Sequence, residues 1–218
     1  MQEKGIYKKM NALISIIIPT HNGENWIGTA LRSVYEQKDF DSYEVIIVCD
    51  ACEDNTKEVA RMTAEEFGSG SRTKILEVNE TNDGATRNAG LEIAIGEWIM
   101  FMDDDDKWIH DHVLASVKER LTDKVDLIQF AFWWKGMGYA PPMIGENVWP
   151  NVWSKVWRRS FIGDTRFEKV KDISDLVFTK AIFEKRPRLL LWDCLMYEYN
   201  YMRPGSMTYN LKKEEENK

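Results

Sequence analysis

Four consecutive carboxylates, Asp103-Asp104-Asp105-Asp106, follow directly on the apolar run WIMFM at 98–102. Adjacent carboxylates raise one another's cost of ionisation, so a folded chain keeps such a run together most readily with a cation. Oxygen donors select a hard ion such as Mg2+ or Mn2+, held through one or two carboxylates and the phosphates of a substrate. An arbitrary acidic tetrad is more simply a solvated turn; its position just behind a buried strand favours the metal. Three more polar clusters stand in equivalent places: PTHNGE at 19–24, CDACED at 49–54 and NETNDG at 79–84.

Bringing these clusters together requires strands that all end on one edge. The β-branched and apolar runs LISIIIP (13–19), EVIIVC (44–49), KILEV (74–78), WIMFM (98–102) and DLIQFAF (126–132) read as buried strands. Between them, apolar residues at helical spacing predict helices over 26–37, 54–67, 85–95 and 110–121, the first capped by Asn22 or Asn25. Strand–helix alternation over 13–132 predicts an α/β fold with a mostly parallel central sheet flanked by helices, and a ligand crevice at the carboxyl ends of its strands. Beyond residue 133 the aromatic, Pro- and Gly-containing stretch to 157 has no clear period and reads as a partly ordered loop. A helix at 173–184 and strand-like segments at 189–194 and 195–202 follow. The expected organisation is one domain over 13–210, with a flexible tail at 1–12 and a disordered one at 211–218.

Composition narrows the partners. With 29 Lys+Arg against 36 Asp+Glu over 218 residues, the net charge is −7. No basic stripe is available to displace counterions from duplex nucleic acid. Three cysteines do not make a disulfide framework, and Cys49-Asp50-Ala51-Cys52 lacks the second pair or nearby His that zinc would need. No apolar run approaches the ~20 residues of a membrane span, and MQEKGIYKKMNA lacks a signal-peptide core, so a cytoplasmic location is expected. Lys4, Lys8 and Lys9 allow at most weak contact with an anionic membrane surface. Five of nine tryptophans fall within 133–157; indoles fill cores more often than they stack on sugars.

Four segments, in order, carry a resemblance. ISIIIPTHNGENWIGTALRSVYEQ resembles the strand, Pro-Thr-aromatic-Asn turn and Leu-x-Ser-x-x-x-Gln helix of the family 2 glycosyltransferases. EVIIVCDACEDNT is similar to their I-V-D-D-G-S-x-D-x-T segment, and GATRNAGLEIAIGEWIMFMDDDDKW to their G-x-x-x-A-R-N-x-G and F-L-D-x-D-D stretch. YEYNYMRPGSMT resembles a closing segment common among them. The resemblance implies a GT-A fold over roughly 13–208, a nucleotide-sugar half at 13–108 and an acceptor half at 109–210. It implies a metal-dependent (Mn2+ or Mg2+), inverting transfer of one sugar from a nucleotide-diphosphate donor, UDP-sugar favoured, to a glycan, lipid-linked glycan or protein acceptor.

By the same resemblance, Asp105 is the metal-coordinating carboxylate, with Asp103 and Asp104 flanking the donor's ribose and diphosphate and Asp103 near enough to share the ion. Asp50 matches the aspartate that accepts the N3–H of uracil. Pro19 and Thr20 line the nucleotide pocket with Glu24 close by, and Arg87 helps to hold the nucleotide-sugar. The general base falls on Asp175, with Asp172 as its alternative, because Ser174 stands where the family's Glu-Asp pair has its Glu. Cys49, Ala51 and Cys52 replace the first Asp, the Gly and the Ser of the D-D-G-S segment. Trp149, beside Pro150, and Trp153 are candidates for an acceptor platform. Two other readings compete: a nucleotidyltransferase, disfavoured by the lack of a Gly-rich phosphate loop, and a catalytically silent binding protein on the same fold.

Overall fold

The computed structural model describes residues 13–143, 148–170, 173–201, 203 and 209. The tails at 1–12 and 211–218 and the alternative base Asp172 lie outside the described residues. The first four strands, β1 (Ile14–Thr20), β2 (Tyr43–Asp50), β3 (Thr73–Val78) and β4 (Trp98–Phe101), pair in parallel in the order β3-β2-β1-β4. Every residue of β1, β2 and β4 is buried. That is why they read as unbroken apolar runs rather than as alternating ones.

Helices cover both faces. On one side α1 (Ile27–Tyr35), α2 (Thr56–Glu66) and α4 (Val113–Lys118) close over Ile16, Ile18, Val45 and Ile47 through Leu31, Val34, Ala60 and Val117. On the other, α3 (Asp83–Ile93) and α6 (Ser174–Glu184) cover Ile17, Ile46, Val48 and Phe101 through Leu91, Phe178 and Ile182. α1, α2, α4 and α6 fall within the expected spans, and α3 starts two residues before its expected 85, capped by the Asn82 side chain that accepts from Ala85 N. Neither Asn22 nor Asn25 caps α1: the N–H groups of Trp26 and Ile27 both donate to Gly23 O at 2.9 Å. Asn22 instead sits at φ 51° and its amide oxygen accepts from Glu53 N.

The stretch at 133–157 departs most from expectation. β6 (Leu127–Trp134) runs two residues further than its apolar pattern indicated and turns through Gly136 and Gly138, both at positive φ, into β7 (Gly138–Ala140). β8 (Lys155–Arg158) is no loop at all: it lies inside the sheet, antiparallel to both β4 and β6. Four residues, three of them buried, offer no periodicity to recognise. The two strand-like segments near the C-terminus are one strand, β9 (Leu189–Tyr199), parallel to β6 and irregular in register opposite Phe130–Phe132. The two-residue β5 (Lys107–Trp108) pairs with β9, so the sheet is parallel in its first half and mixed beyond β4. A short α5 (Arg159–Ile162) completes the elements.

α3 rests on β1 with no room to spare: a Cβ at Gly90 would lie 2.5 Å from Ile17 Cγ2 and 3.3 Å from Val48 Cγ2. In an open helix interior Gly→Ala stabilises by about 1 kcal/mol. Here the overpacking cost of roughly 1–3 kcal/mol wins, and Gly90→Ala is expected to lower the urea unfolding midpoint rather than raise it.

Candidate active site

The carboxyl ends of β1, β2 and β4 meet on one edge, and each delivers a polar side chain there. Thr20, the last residue of β1, is buried and its hydroxyl donates to Asp104 Oδ2 at 2.5 Å. The backbone at Gly23 closes over this pair; a Cβ there would stand 2.2 Å from Asp104 Oδ2 and 2.5 Å from Thr20 Oγ1. Burial pushes the Asp104 carboxyl up to about 6, against the opposing bond from Thr20.

The acidic tetrad does not behave as one patch. Asp103 faces Arg87, whose Nη2 donates to its Oδ1 at 2.8 Å. Burial pushes its carboxyl up to about 8 despite Arg87, with Asp175, Asp83 and Asp105 adding to the rise. Asp105 pairs with Arg203, whose Nε lies 2.5 Å from its Oδ2 and whose guanidinium sits 5.1 Å from the Trp26 ring. Asp106 turns inward to β9: Tyr197 OH donates to its Oδ2 at 2.6 Å and Asn200 N to its Oδ1 at 2.7 Å. Asp103 N donates in turn to Tyr197 OH at 3.1 Å. The tetrad's last residue thus fastens the end of β4 to the end of β9.

Arg87 is the centre of the arrangement. It is 3% exposed, on the second turn of α3, and faces three carboxylates from three segments. It ion-pairs closely with Asp83 one turn earlier, with Asp103 after β4, and with Asp175 Oδ1 at 3.6 Å on α6. Burial works against its charge, and the three carboxylates together hold its pKa well above the ordinary arginine value. Arg87 Nε and Nη1 and Asp175 Oδ1 have no aligned hydrogen-bond partner, although ion pairs bring Nη1 close to Asp83 and to Asp175 Oδ1. Asp175 lies in the first turn of α6 and its Oδ2 accepts from Val152 N at 3.1 Å. Burial raises its pKa, opposed by Arg87.

Other expected residues are placed differently. Asp50 is 5% exposed and both carboxylate oxygens are engaged. Oδ1 accepts from Glu80 N and Thr81 N at 2.7 and 3.0 Å, and Oδ2 from Thr86 Oγ1 at 2.6 Å and Asn82 N at 3.3 Å. Burial alone would raise its pKa, but these four donors hold it below the usual carboxylate value. Glu24 accepts from the backbone and side-chain nitrogens of Asn55, both at 3.0 Å, on the rim beside α2. Pro19 is buried within β1. Trp153 is 4% exposed and stacks on Tyr197 at 4.6 Å, so it belongs to the core. Trp149 is half-buried, its indole N–H donating to Pro141 O at 2.7 Å and its ring edge-on to Phe132 and Trp134.

Sequence reasoning missed Thr86, Tyr197 and Arg203. Thr86 stands where the family pattern has Ala, which is the signal that could have paired it with Asp50. Arg203 lay within the recognised closing segment, but nothing in its spacing tied it to Asp105. Among the described residues no group of three or more His, Cys, Asp or Glu could hold a metal ion by themselves. Asp105 and Asp103 offer the oxygen donors that a hard divalent ion prefers, each here paired with an arginine.

A family model described as glycosyl transferase family 2 matches residues 15–188. The chain belongs to that family. Within it, the chain is 33% identical over 118 residues to the Escherichia coli UDP-Glc:alpha-D-GlcNAc-diphosphoundecaprenol beta-1,3-glucosyltransferase WfgD, covering 53% of this chain and 44% of that protein. The chain spans less than half the length of the curated relatives it matches first. Staphylococcus aureus TarS 1–349 in complex with UDP-GlcNAc superposes with a TM-score of 0.75 at 24% identity, over 90% of this chain and 60% of that one. The mannosyltransferase PcManGT from Pyrobaculum calidifontis, in complex with GDP-Man and Mn2+, gives 0.73 at 18% identity, over 94% and 61%. The architecture is therefore the GT-A fold.

The Asp50 clasp yields a test. Asp50→Asn keeps one acceptor oxygen for Glu80 N and Thr81 N but turns an NH2 toward Asn82 N and Thr86 Oγ1, leaving the Asn82 N–H without its acceptor, a loss of roughly 1–3 kcal/mol. Because the folded-state pKa is depressed, this contribution is present above the unfolded carboxyl's pKa and is lost as pH falls through the folded value. Urea unfolding should show the full difference between wild type and variant at pH 7, shrinking in acid below pH ~4.

Proposed function

We propose that this family 2 chain transfers a single sugar from a nucleotide-diphosphate donor, UDP-sugars favoured, to an acceptor hydroxyl with inversion at the anomeric carbon, in glycan or polysaccharide biosynthesis. The observation that carries the reading is the Asp103–Arg87–Asp175 chain. One buried cation joins a carboxylate at the donor edge of the sheet to one on the acceptor side.

In this reading Pro19, Thr20 and Glu24 line the donor crevice. Asp50 shapes its base pocket by fixing the backbone at 80–82. Asp103 and Asp104 flank the ribose and diphosphate, and Asp105 with Asp103 would hold Mn2+ or Mg2+. When bound, such an ion stabilises negative charge on the departing diphosphate. Arg87, with two nitrogens lacking an aligned acceptor, supplies positive charge beside Asp103. Asp175 takes the proton from the acceptor hydroxyl as its oxygen bonds to C1 and the bond from C1 to the diphosphate oxygen breaks. Burial raises the basicity of Asp175, while Arg87 keeps it ionised, the combination a general base requires. Trp149 forms part of the acceptor wall. The names of the relatives support sugar transfer from UDP-linked donors, and the WfgD acceptor is lipid-linked. A lipid-linked glycan, a soluble glycan and a protein all present the hydroxyl that this chemistry needs.

Two measurements check this. Calorimetric titration with UDP, GDP, CDP and dTDP, each with Mn2+ and with EDTA, should show metal-dependent binding of UDP that Asp105→Ala abolishes. Loss of binding to all four would instead support a catalytically silent member of the fold. Asp175→Asn should retain UDP binding while slowing release of UDP from its sugar donor by about 10²–10⁴-fold.

A further inference from the structure

One buried charge is unused by that mechanism. Lys155, the first residue of β8, is wholly inaccessible and lies between β6 and β4 in the sheet. The partners the described residues give its ammonium are neutral oxygens: Asn151 O at 2.5 Å, Trp149 O at 2.6 Å, and Asn151 Oδ1 and Ser154 Oγ at 3.4 Å. An apolar side chain of the same length would fill this space without the desolvation cost of an ammonium. What the ammonium accomplishes is convergence of two carbonyls, which draws 149–152 into a turn against the sheet. That turn presents Val152 N to Asp175 Oδ2, and its Pro150 O accepts from Thr179 on α6 at 2.8 Å. The same turn carries the Trp149 ring. Burial pushes Lys155 down to about 7, with the charge of Asp175 the opposing influence.

We propose that Lys155 is a positioning residue for Asp175: its ammonium gathers the carbonyls of Trp149 and Asn151 so that the turn fixes both the Asp175 carboxylate and the Trp149 wall. The proposal rests on Asp175 being the base. Lys155 touches no donor group, so its loss should separate turnover from donor binding, which a general loss of fold would not do.

The test uses the full chain with Lys155→Met, and Lys155→Gln as a second variant that keeps one donor should the first fail to fold. Hydrogen exchange is followed in the peptide covering 148–153, and UDP release is followed from UDP-GlcNAc and UDP-glucose with Mn2+. The expected result is at least tenfold faster exchange at 148–153 with β1 and β2 unchanged. The kcat for UDP release should fall at least tenfold with the donor KM within twofold, and Lys155→Gln should lie between wild type and Lys155→Met. A folded variant with wild-type exchange at 148–153 and kcat within twofold would overturn the proposal. If wild type itself releases no UDP, the transferase reading fails while the exchange comparison still decides whether Lys155 holds the turn.

Discussion

A buried guanidinium needs compensation, and the compensation that Arg87 finds organises this molecule. Removing one partner from a buried ionic cluster leaves the others uncompensated in a poorly solvating interior. Asp83, Asp103 and Asp175 come from the start of α3, the turn after β4 and the first turn of α6. Their shared cation fixes three segments at one point. Two of these carboxylates, Asp103 and Asp175, are held above the ordinary carboxylate range by burial. Arg87 opposes that rise at both carboxylates.

The sheet makes that arrangement possible. Fully buried β1, β2 and β4 form a stiff platform, and their carboxyl ends set Thr20, Asp50 and the tetrad at fixed spacing. Two members of the tetrad then become structural. Asp106 binds Tyr197 and the backbone of Asn200, and Asp104 binds Thr20 beneath Gly23, whereas Asp103 and Asp105 face arginines, Arg87 and Arg203. A row of four identical residues is divided by orientation, two bonded to hydroxyl or backbone donors and two paired with arginines.

How much of this was legible in the sequence depends on range. The parallel core, its helices and the clustering of polar turns on one edge followed from local periodicity, because apolar runs and helical spacing are written within a few residues. β8 was not legible: a four-residue strand buried between two others carries no pattern of its own. The partners of the tetrad were equally hidden, since Asp106–Tyr197 and Asp105–Arg203 span 91 and 98 residues. Asp50 is singled out by the family resemblance as a base-recognition carboxylate, yet its engagement with the 80–82 backbone depends on how a loop from β3 folds over β2. The family resemblance named Arg87 and Asp175 separately; only the folded chain shows them facing each other.

Arg87 is the common counter-ion of carboxylates from three segments. A double-mutant cycle of Arg87→Met and Asp175→Asn, read by urea unfolding at pH 7, tests it most directly. Arg87→Met alone should cost about 3–5 kcal/mol. Adding Asp175→Asn should restore part of that loss, giving a coupling above ~1 kcal/mol. Additivity within about 0.5 kcal/mol would mean that the two groups do not depend on each other and that Arg87 is not the counter-ion of Asp175.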